Sequence, residues 1–115
     1  MIDQHPEYGC PVSAALSVIG GKWKLPIVHL LSLETYRFNT LLRSIPGVTR
    51  QMLTTHLREL ERDGVVHRRV YAEVPPRVEY SLTPFGHSLE PLLDQLRMWG
   101  KHYIEQQERK EDRGA

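Results

Sequence analysis

Residues 37–84 decide the fold, and they read RFNTLLRSIPGVTRQMLTTHLRELERDGVVHRRVYAEVPPRVEYSLTP. The spacing of leucine and isoleucine predicts a short helix over about 39–45, and Pro46-Gly47 marks a turn after it. Thr49 is a residue type that caps helices, and the leucines at 53, 57 and 60 follow at helical spacing. This pattern predicts a second helix over 49–62, which completes a helix-turn-helix.

The segment after this helix alternates with a period of two. Val66 and Val70 lie on one face of the first run, and Val78, Tyr80 and Leu82 lie on one face of the second. Pro75-Pro76 stands between the runs, where proline need not donate a ladder hydrogen bond. We therefore predict a hairpin over 66–82 with Val74-Pro75-Pro76-Arg77 at its tip. A helix-turn-helix followed by such a hairpin is the arrangement of a winged helix.

Two helices are predicted before this motif. Pro11 opens the first, and Gly20-Gly21 ends it. The second, over about 22–33, is apolar on two sides and is therefore expected to be the central buried helix. Pro26 inside it is expected to cost a hydrogen bond or to introduce a kink.

One long helix is predicted after the hairpin. Pro84 opens it, and its apolar stripe reaches Tyr103 over about five turns. We expect Phe85 and Leu89 to pack on the chain's own core. The polar tail, residues 105–115, is expected to be frayed. Residues 1–115 thus form a single α+β domain, a winged helix-turn-helix with an N-terminal helix and a long C-terminal dimerisation helix.

Composition excludes several classes of protein. The 115 residues support one domain, and a second would leave each half too small for its own core. Cys10 is the single cysteine, which excludes an internal disulfide and a multi-cysteine metal site. The six histidines lack metal-site spacing, so we predict no metal and no cofactor. The sequence has no apolar run long enough for a membrane span and no secretory signal, and we predict a cytoplasmic protein.

The charge is unevenly distributed. The chain carries 15 Lys+Arg and 14 Asp+Glu, a net charge of +1. Residues 37–77 carry a net charge of +4, and the rest carries −3. The basic residues of the central stretch are all arginines: Arg37, Arg43, Arg50, Arg58, Arg62, Arg68, Arg69 and Arg77. The asymmetry indicates nucleic acid, and a solvated charged face is the alternative.

The outer face of the 49–62 helix suits base recognition. Arginine pairs well with guanine and glutamine with adenine, and no acid precedes Glu59 on this helix. Arg77 is expected to reach a neighbouring minor groove. Either Arg68 or Arg69 is placed to touch a phosphate, and the sequence does not decide between them. The candidate DNA-binding residues are Thr49, Arg50, Gln51, Thr54, Thr55, Arg58 and Arg77.

The chain resembles the HxlR-type family of small bacterial winged helix-turn-helix transcriptional regulators. The resemblance rests on CPV at 10–12, IGGKWKLPI at 19–27, residues 37–71, residues 73–96 and Trp99-Gly100. It implies a DNA-binding homodimer with helix 49–62 as the recognition helix, the wing at 66–82, and an interface of the first and last helices. Two recognition helices about 34–36 Å apart would read an inverted repeat. The candidate interface residues are Val12, Leu16, Leu92, Leu96, Trp99 and Tyr103.

Cys10 is a candidate redox sensor. It precedes Pro11 at a helix N-terminus, where the helix dipole favours thiolate. In some members of the family that the chain resembles, a cysteine at this position senses oxidants, quinones or aldehydes, so an oxidant or electrophile is a candidate effector. A purely structural cysteine is the alternative. Because the chain has one cysteine, a disulfide would have to cross the dimer or recruit a small thiol.

Two other functions compete with DNA binding. A thiol enzyme such as a peroxidase needs a base or a resolving thiol beside Cys10, and the sequence shows neither, so we predict no catalytic residue and no enzyme. A winged helix used only for protein contacts would favour an acidic or apolar recognition face. The observed polar and arginine-rich face favours double-stranded DNA as the partner.

Overall fold

A computed structural model describes residues 5–114. The architecture is α+β, as predicted. In chain order the elements are α1 (Pro11–Ile19), α2 (Lys24–Leu33), β1 (Tyr36–Arg37), α3 (Phe38–Ser44), α4 (Arg50–Arg62), β2 (Val66–Tyr71), β3 (Arg77–Leu82), α5 (Pro84–His87) and α6 (Glu90–Gly114).

The paired helices α3 and α4 follow the sequence pattern. Thr49 is the N-cap of α4, and its hydroxyl oxygen accepts a hydrogen bond from the Met52 N–H at 3.1 Å. Gly47 in the preceding turn has φ 89°, a backbone angle that favours glycine. Leu53, Leu57 and Leu60 are all buried. The leucine stripe therefore holds α4 on the core and leaves its opposite face exposed.

The wing is a sheet of three strands in the order β1-β3-β2. Strands β2 and β3 pair antiparallel, from Val66 opposite Leu82 to Tyr71 opposite Arg77. Strand β1 adds to the other edge of β3, with Arg37 opposite Glu79. The predicted hairpin is confirmed, but Arg77 begins β3 and pairs with Tyr71, so the prediction that it lies at the tip is wrong.

The central helix α2 begins at Lys24, two residues later than predicted. Pro26 is consequently the third helical residue. The N–H groups of the first turn have no intrahelical partner in any case, so proline there costs no hydrogen bond. Because α2 starts at Lys24, Pro26 causes neither the expected loss of a hydrogen bond nor a kink.

The last helix is divided where the sequence suggested one continuous helix. Thr83 caps α5 and accepts a hydrogen bond from the Gly86 N–H at 2.9 Å, and α6 starts afresh at Glu90. Pro91 explains the break, because it has no N–H for the carbonyl of His87 and its ring crowds that group. Gly86 packs tightly, since a Cβ there would meet the carbonyl oxygen of Val65.

The tail predicted to be frayed, residues 105–115, is helical as far as Gly114, and Ala115 lies outside the described residues. Glutamate, glutamine, lysine and arginine are all good helix formers. Glu105 precedes Arg109 by four residues, the spacing and order that favour an ion pair along a helix. The polar residues at 105–114, from which we predicted fraying, therefore belong to an exposed helix.

The core lies between α2, α4 and the inner face of the sheet. It includes Ile27, Leu41, Leu57, Val66 and Tyr80 among its buried residues. Leu89 packs against this core, as expected. Phe85 does not: its side chain is 64% exposed, so the expectation that it joins the core is wrong. The short α5 turns Phe85 outward beside an apolar cleft of about 300 Å³, which α1 and α5 line.

Candidate nucleic-acid interface

A groove of about 490 Å³ opens between helix α4 and the wing. The α4 residues Arg50, Thr54 and Arg58 line one side, and Arg68 of β2 lines the other. Glu61 is the acid at this groove. The full lining is Phe38, Arg50, Thr54, Arg58, Glu61, Arg68, Val78 and Tyr80. Three of the predicted DNA-binding residues therefore meet a wing arginine at one opening.

The strand register places Arg68 and Arg69 on opposite faces of the sheet. Arg68 is opposite Tyr80 and lies on the groove side of the sheet. Arg69 is opposite Glu79, and its guanidinium carbon lies 4.7 Å from the centre of the Tyr71 ring. Arg68 is thus the one of the two arginines that lies at the groove, and its position on the alternation face of Val66 was the signal available in the sequence.

Arg50 is held in place by α3. Its Nη2 donates a hydrogen bond to Asn39 Oδ1 at 3.1 Å, and its guanidinium lies 5.2 Å from the centre of the Phe38 ring. These contacts restrict a side chain that otherwise has many rotamers. Arg50 therefore presents a partly oriented fork of donors at the mouth of the groove. The sequence did not identify Asn39 or Phe38 as supporting residues.

The other predicted residues of α4 occupy different positions. Thr54 lines the groove, and its hydroxyl donates to the Arg50 carbonyl at 2.9 Å. That bond leaves its oxygen lone pairs and its methyl group for a ligand. Gln51 and Thr55 are exposed on α4 without lining the groove. Thr49 uses its hydroxyl oxygen as the helix cap.

Arg77 does not extend freely from the wing. Its guanidinium lies 3.9 Å from the centre of the Tyr71 ring, 3.3 Å from Glu73 Oε1 and, through Nε, 3.8 Å from Glu79 Oε2. The side chain is only 26% exposed. Two carboxylates and an aromatic ring thus engage the arginine that we expected to enter a minor groove. Arg77 would have to leave these contacts on the outer face of the wing to enter a minor groove.

The arginines of the groove differ from Arg77 in their charge pairing. Within residues 5–114, Arg50, Arg58 and Arg68 form no ion pair, and all three are exposed. Arg62, at the far end of α4, is paired with Asp63, which raises the pKa of the arginine. The groove therefore offers a ligand positive charge that is not neutralised by an ion pair among the described residues.

An ion pair fixes α4 to α2 behind this surface. Lys24 Nζ lies 3.2 Å from Glu59 Oε2, and the Lys24 side chain is 8% exposed. His56 Nδ1 lies 3.9 Å from the other oxygen of Glu59. A lysine buried on an apolar helix gives no sign of its partner in the sequence, and this contact was not foreseen.

Cys10 is the N-cap of α1 and is partly exposed. Its Sγ lies 3.2 Å from Ser13 Oγ. This side-chain hydrogen bond, together with backbone hydrogen bonds at the helix start, lowers the pKa of the thiol. The local geometry therefore favours thiolate, the nucleophilic form of cysteine.

Apolar side chains remain uncovered on α1 and α6. No residue of α6 is buried, although it is 25 residues long. The Trp99 ring stacks on Tyr103 with centroids 5.7 Å apart, and the tryptophan is 66% exposed. All six predicted interface residues are exposed: Val12, Leu16, Leu92, Leu96, Trp99 and Tyr103.

The described part of the chain supplies neither a metal site nor a membrane span. No three His, Cys, Asp or Glu side chains among residues 5–114 are grouped closely enough to hold an ion. Among those residues, no helix combines the length and the apolar character required to cross a bilayer.

Comparison with known proteins assigns the family. The sequence model of the HxlR-like helix-turn-helix matches residues 18–108. The chain belongs to the HxlR-like family. An uncharacterized HTH-type transcriptional regulator, YdeP of Bacillus subtilis, is 53% identical over 95 residues, which cover 83% of this chain and 74% of YdeP. This HxlR-like protein is accordingly a helix-turn-helix transcriptional regulator, as the motifs predicted.

Solved structures agree with the winged-helix architecture. The redox regulator HypR in its reduced form is 49% identical, with a TM-score of 0.81, and the match covers 86% of this chain and 98% of HypR. The transcriptional regulator YodB from B. subtilis in its reduced form is 33% identical, with a TM-score of 0.73, and the match covers 84% of this chain and 95% of YodB. The HxlR-like chain is thus similar to the structure of a redox regulator and to the structure of a transcriptional regulator in its reduced form.

Proposed function

We propose that this HxlR-like regulator binds double-stranded DNA through the groove between α4 and the wing. The observation that carries the proposal is the set of exposed arginines at one opening, Arg50, Arg58 and Arg68, which form no ion pair within residues 5–114. In a helix-turn-helix the N-terminal half of the second helix enters the major groove, where arginine donates to guanine O6 and N7. Gln51 and Thr55, exposed on the same helix, add donors and acceptors for base edges, and Thr49 with the first N–H groups of α4 faces a phosphate.

The chain acts as a homodimer in this proposal. The exposed stripe of α6 and the apolar side chains of α1 leave a large apolar surface, which a second copy would cover. A twofold dimer places two recognition helices on one face, so that an operator with an inverted repeat fits both. Such a regulator would work in the cytoplasm, where bacterial DNA lies.

Titration of DNA binding against salt tests the proposal. A duplex selected from a random pool by the full chain is the probe, and its sequence also reveals half-site symmetry and spacing. We expect the logarithm of the binding constant to fall steeply with the logarithm of salt concentration, because phosphate contacts release counterions. Absence of binding to any duplex at low salt would refute DNA binding and favour a winged helix used for protein contacts.

Arg58→Ala tests base reading within the same assay. Loss of a bidentate arginine contact should cost about 1–3 kcal/mol and relax the preference at one base pair. Arg109→Ala, at the exposed end of α6, is the matched control and should change neither quantity. Equal weakening on all duplexes by Arg58→Ala would instead assign this arginine to phosphate.

Cys10 is, in this proposal, the point at which an oxidant or electrophile changes DNA binding. The lowered pKa of its thiol and the similarity to HypR and YodB support the assignment. A peroxide would oxidise the thiolate to a sulfenic acid and itself be reduced to hydroxide; a second thiol would then give a disulfide and water. The second thiol is Cys10 of the other subunit or a small thiol.

The Cys10→Ser variant tests the switch. It should bind the selected duplex like the parent but should keep binding after diamide treatment, whereas the parent should be released. Non-reducing electrophoresis separates a dimer-crossing disulfide from a mixed disulfide with a small thiol. Identical responses of the parent and the variant to diamide would reduce Cys10 to a structural residue.

A further inference from the structure

A second opening, the α3 trough, lies beside the groove and has no assigned role. Its volume is about 610 Å³, and α3 with β1 form one wall while the wing loop, residues 72–76, forms the other. Its charged lining is Arg37, Arg43, Arg50 and Arg77 together with Glu73. The trough therefore has a net charge of +3.

Only part of this charge is neutralised within the chain. Glu73 and Arg77 form an ion pair at 3.3 Å across the wing loop. Arg37 is opposite Glu79 in the sheet, but the Glu79 carboxylate approaches Arg77 instead. In the part of the chain that the structure describes, neither Arg37 nor Arg43 forms an ion pair, and both are exposed.

The trough continues the groove at Arg50. Arg50, Phe38 and Val78 line both openings, so the two surfaces share one edge. The hydrogen bond from Arg50 to Asn39 holds the guanidinium at that junction. An extended anion that lies along α4 would therefore reach Arg37 and Arg43 without leaving positively charged surface.

We propose that the α3 trough holds the sugar-phosphate backbone of the duplex whose bases face α4, with Arg37 and Arg43 on phosphates. The proposal rests on the DNA binding proposed above. The first helix of a helix-turn-helix crosses the backbone, and Thr40 and Arg43 share one face of that helix, α3. Arginine forks match phosphate oxygens, and unpaired arginines bind them without losing an internal partner.

The test is the salt dependence of the Arg37→Ala/Arg43→Ala double variant on the selected duplex and on a scrambled duplex of equal length. If each arginine neutralises one phosphate in each of two subunits, four contacts are lost. The slope should then fall in magnitude by about 3.6, at about 0.9 for each phosphate. Affinity should fall on both duplexes, with the ratio between them unchanged, because phosphate contacts carry no sequence information.

Two controls separate this role from a structural one. Arg109→Ala/Arg113→Ala removes the same charge from the last turns of α6 and should leave the slope unchanged. Arg37→Lys/Arg43→Lys keeps the charge and should restore most of the slope. The melting temperature of each variant is measured in parallel. If the double alanine variant has lost its fold, the slopes of the Arg37→Ala and Arg43→Ala single variants are compared with that of the double lysine variant instead.

The outcomes are distinct. An unchanged slope in a folded double variant would overturn the phosphate assignment, although the parent still binds. A loss of preference for the selected duplex would also overturn it, since that result means base contact. Failure of the parent itself to bind any duplex would refute the proposed function instead.

Discussion

Replacing Glu59 with glutamine should destabilise the fold by about 3 kcal/mol, because it leaves the Lys24 ammonium without its charge partner. The two groups lie 3.2 Å apart, and the lysine side chain is only 8% exposed. Removal of one member of a buried pair costs about 3–5 kcal/mol. The side-chain oxygen of the new glutamine still accepts a hydrogen bond from Lys24, so we expect a loss of stability at the lower end of this range.

The reverse change should cost much less. Lys24→Met keeps the apolar stem of the side chain within the core and leaves the carboxylate of Glu59 without its ammonium. That carboxylate is on a side chain that is 34% exposed, so water replaces part of the lost interaction. We expect about 1 kcal/mol for Lys24→Met, in line with a single lost hydrogen bond.

Urea denaturation at pH 7 measures the free energy of unfolding of both variants. The protein concentration is held fixed, since a dimer gains stability with concentration. For a domain of this size, 3 kcal/mol corresponds to a fall of about 12 °C in melting temperature. The Lys24→Met/Glu59→Gln double variant closes the cycle and should cost less than Glu59→Gln alone. Equal costs for the two single variants would refute the argument that unequal burial sets the asymmetry.

Three further changes have defined outcomes. Thr49→Ala should cost about 1 kcal/mol in urea denaturation because α4 loses its cap, while Thr49→Ser should keep the stability; equal stability of all three proteins would contradict the capping role. Ser13→Ala should move the pH midpoint of Cys10 alkylation by iodoacetamide upward, because the hydrogen bond that most lowers the thiol pKa is removed; an unmoved midpoint would leave the backbone as the cause. Trp99→Ala should weaken dimerisation by at least 2 kcal/mol, about 30-fold in sedimentation, whereas Leu33→Ala, an exposed apolar change on α2, should have no effect.

Helix α4 could be predicted from the sequence because every local signal agrees. The cap at Thr49, the leucine period and the preceding turn at Gly47 each indicate the same helix start, and none depends on distant residues. The start of α2 and the break after α5 were harder to place. In both cases a helix begins just before a proline, so that the proline falls in a first turn: Pro26 then causes no loss or kink, and Pro91 belongs to a new helix instead of bending a continuous one.

Features that depend on pairing between distant segments could not be predicted in the same way. The sequence predicts a short extended piece at 36–38, and β1 confirms it at Tyr36–Arg37, but a two-residue strand shows no period, so its pairing with β3 could not be predicted. Lys24 is charged and lies on an apolar helix, and its partner is 35 residues away along the chain. Sequence periodicity describes which face of an element is buried, but it does not name the element that covers that face.

Because sequence periodicity does not show which segments pack together, the arginines could be counted from the sequence, but those free to bind a phosphate could not be told from those held in ion pairs. A net charge of +4 over residues 37–77 treats its arginines as equivalent, and the fold separates them by the carboxylates that neighbouring strands and turns bring near. Glu73 and Glu79 engage Arg77, and Asp63 engages Arg62. The arginines that line the groove or the α3 trough without an ion pair among the described residues are Arg37, Arg43, Arg50, Arg58 and Arg68. Because charge already paired inside the chain releases little further free energy on a phosphate, these five side chains should set the salt dependence of binding, and Arg77 should contribute little to it.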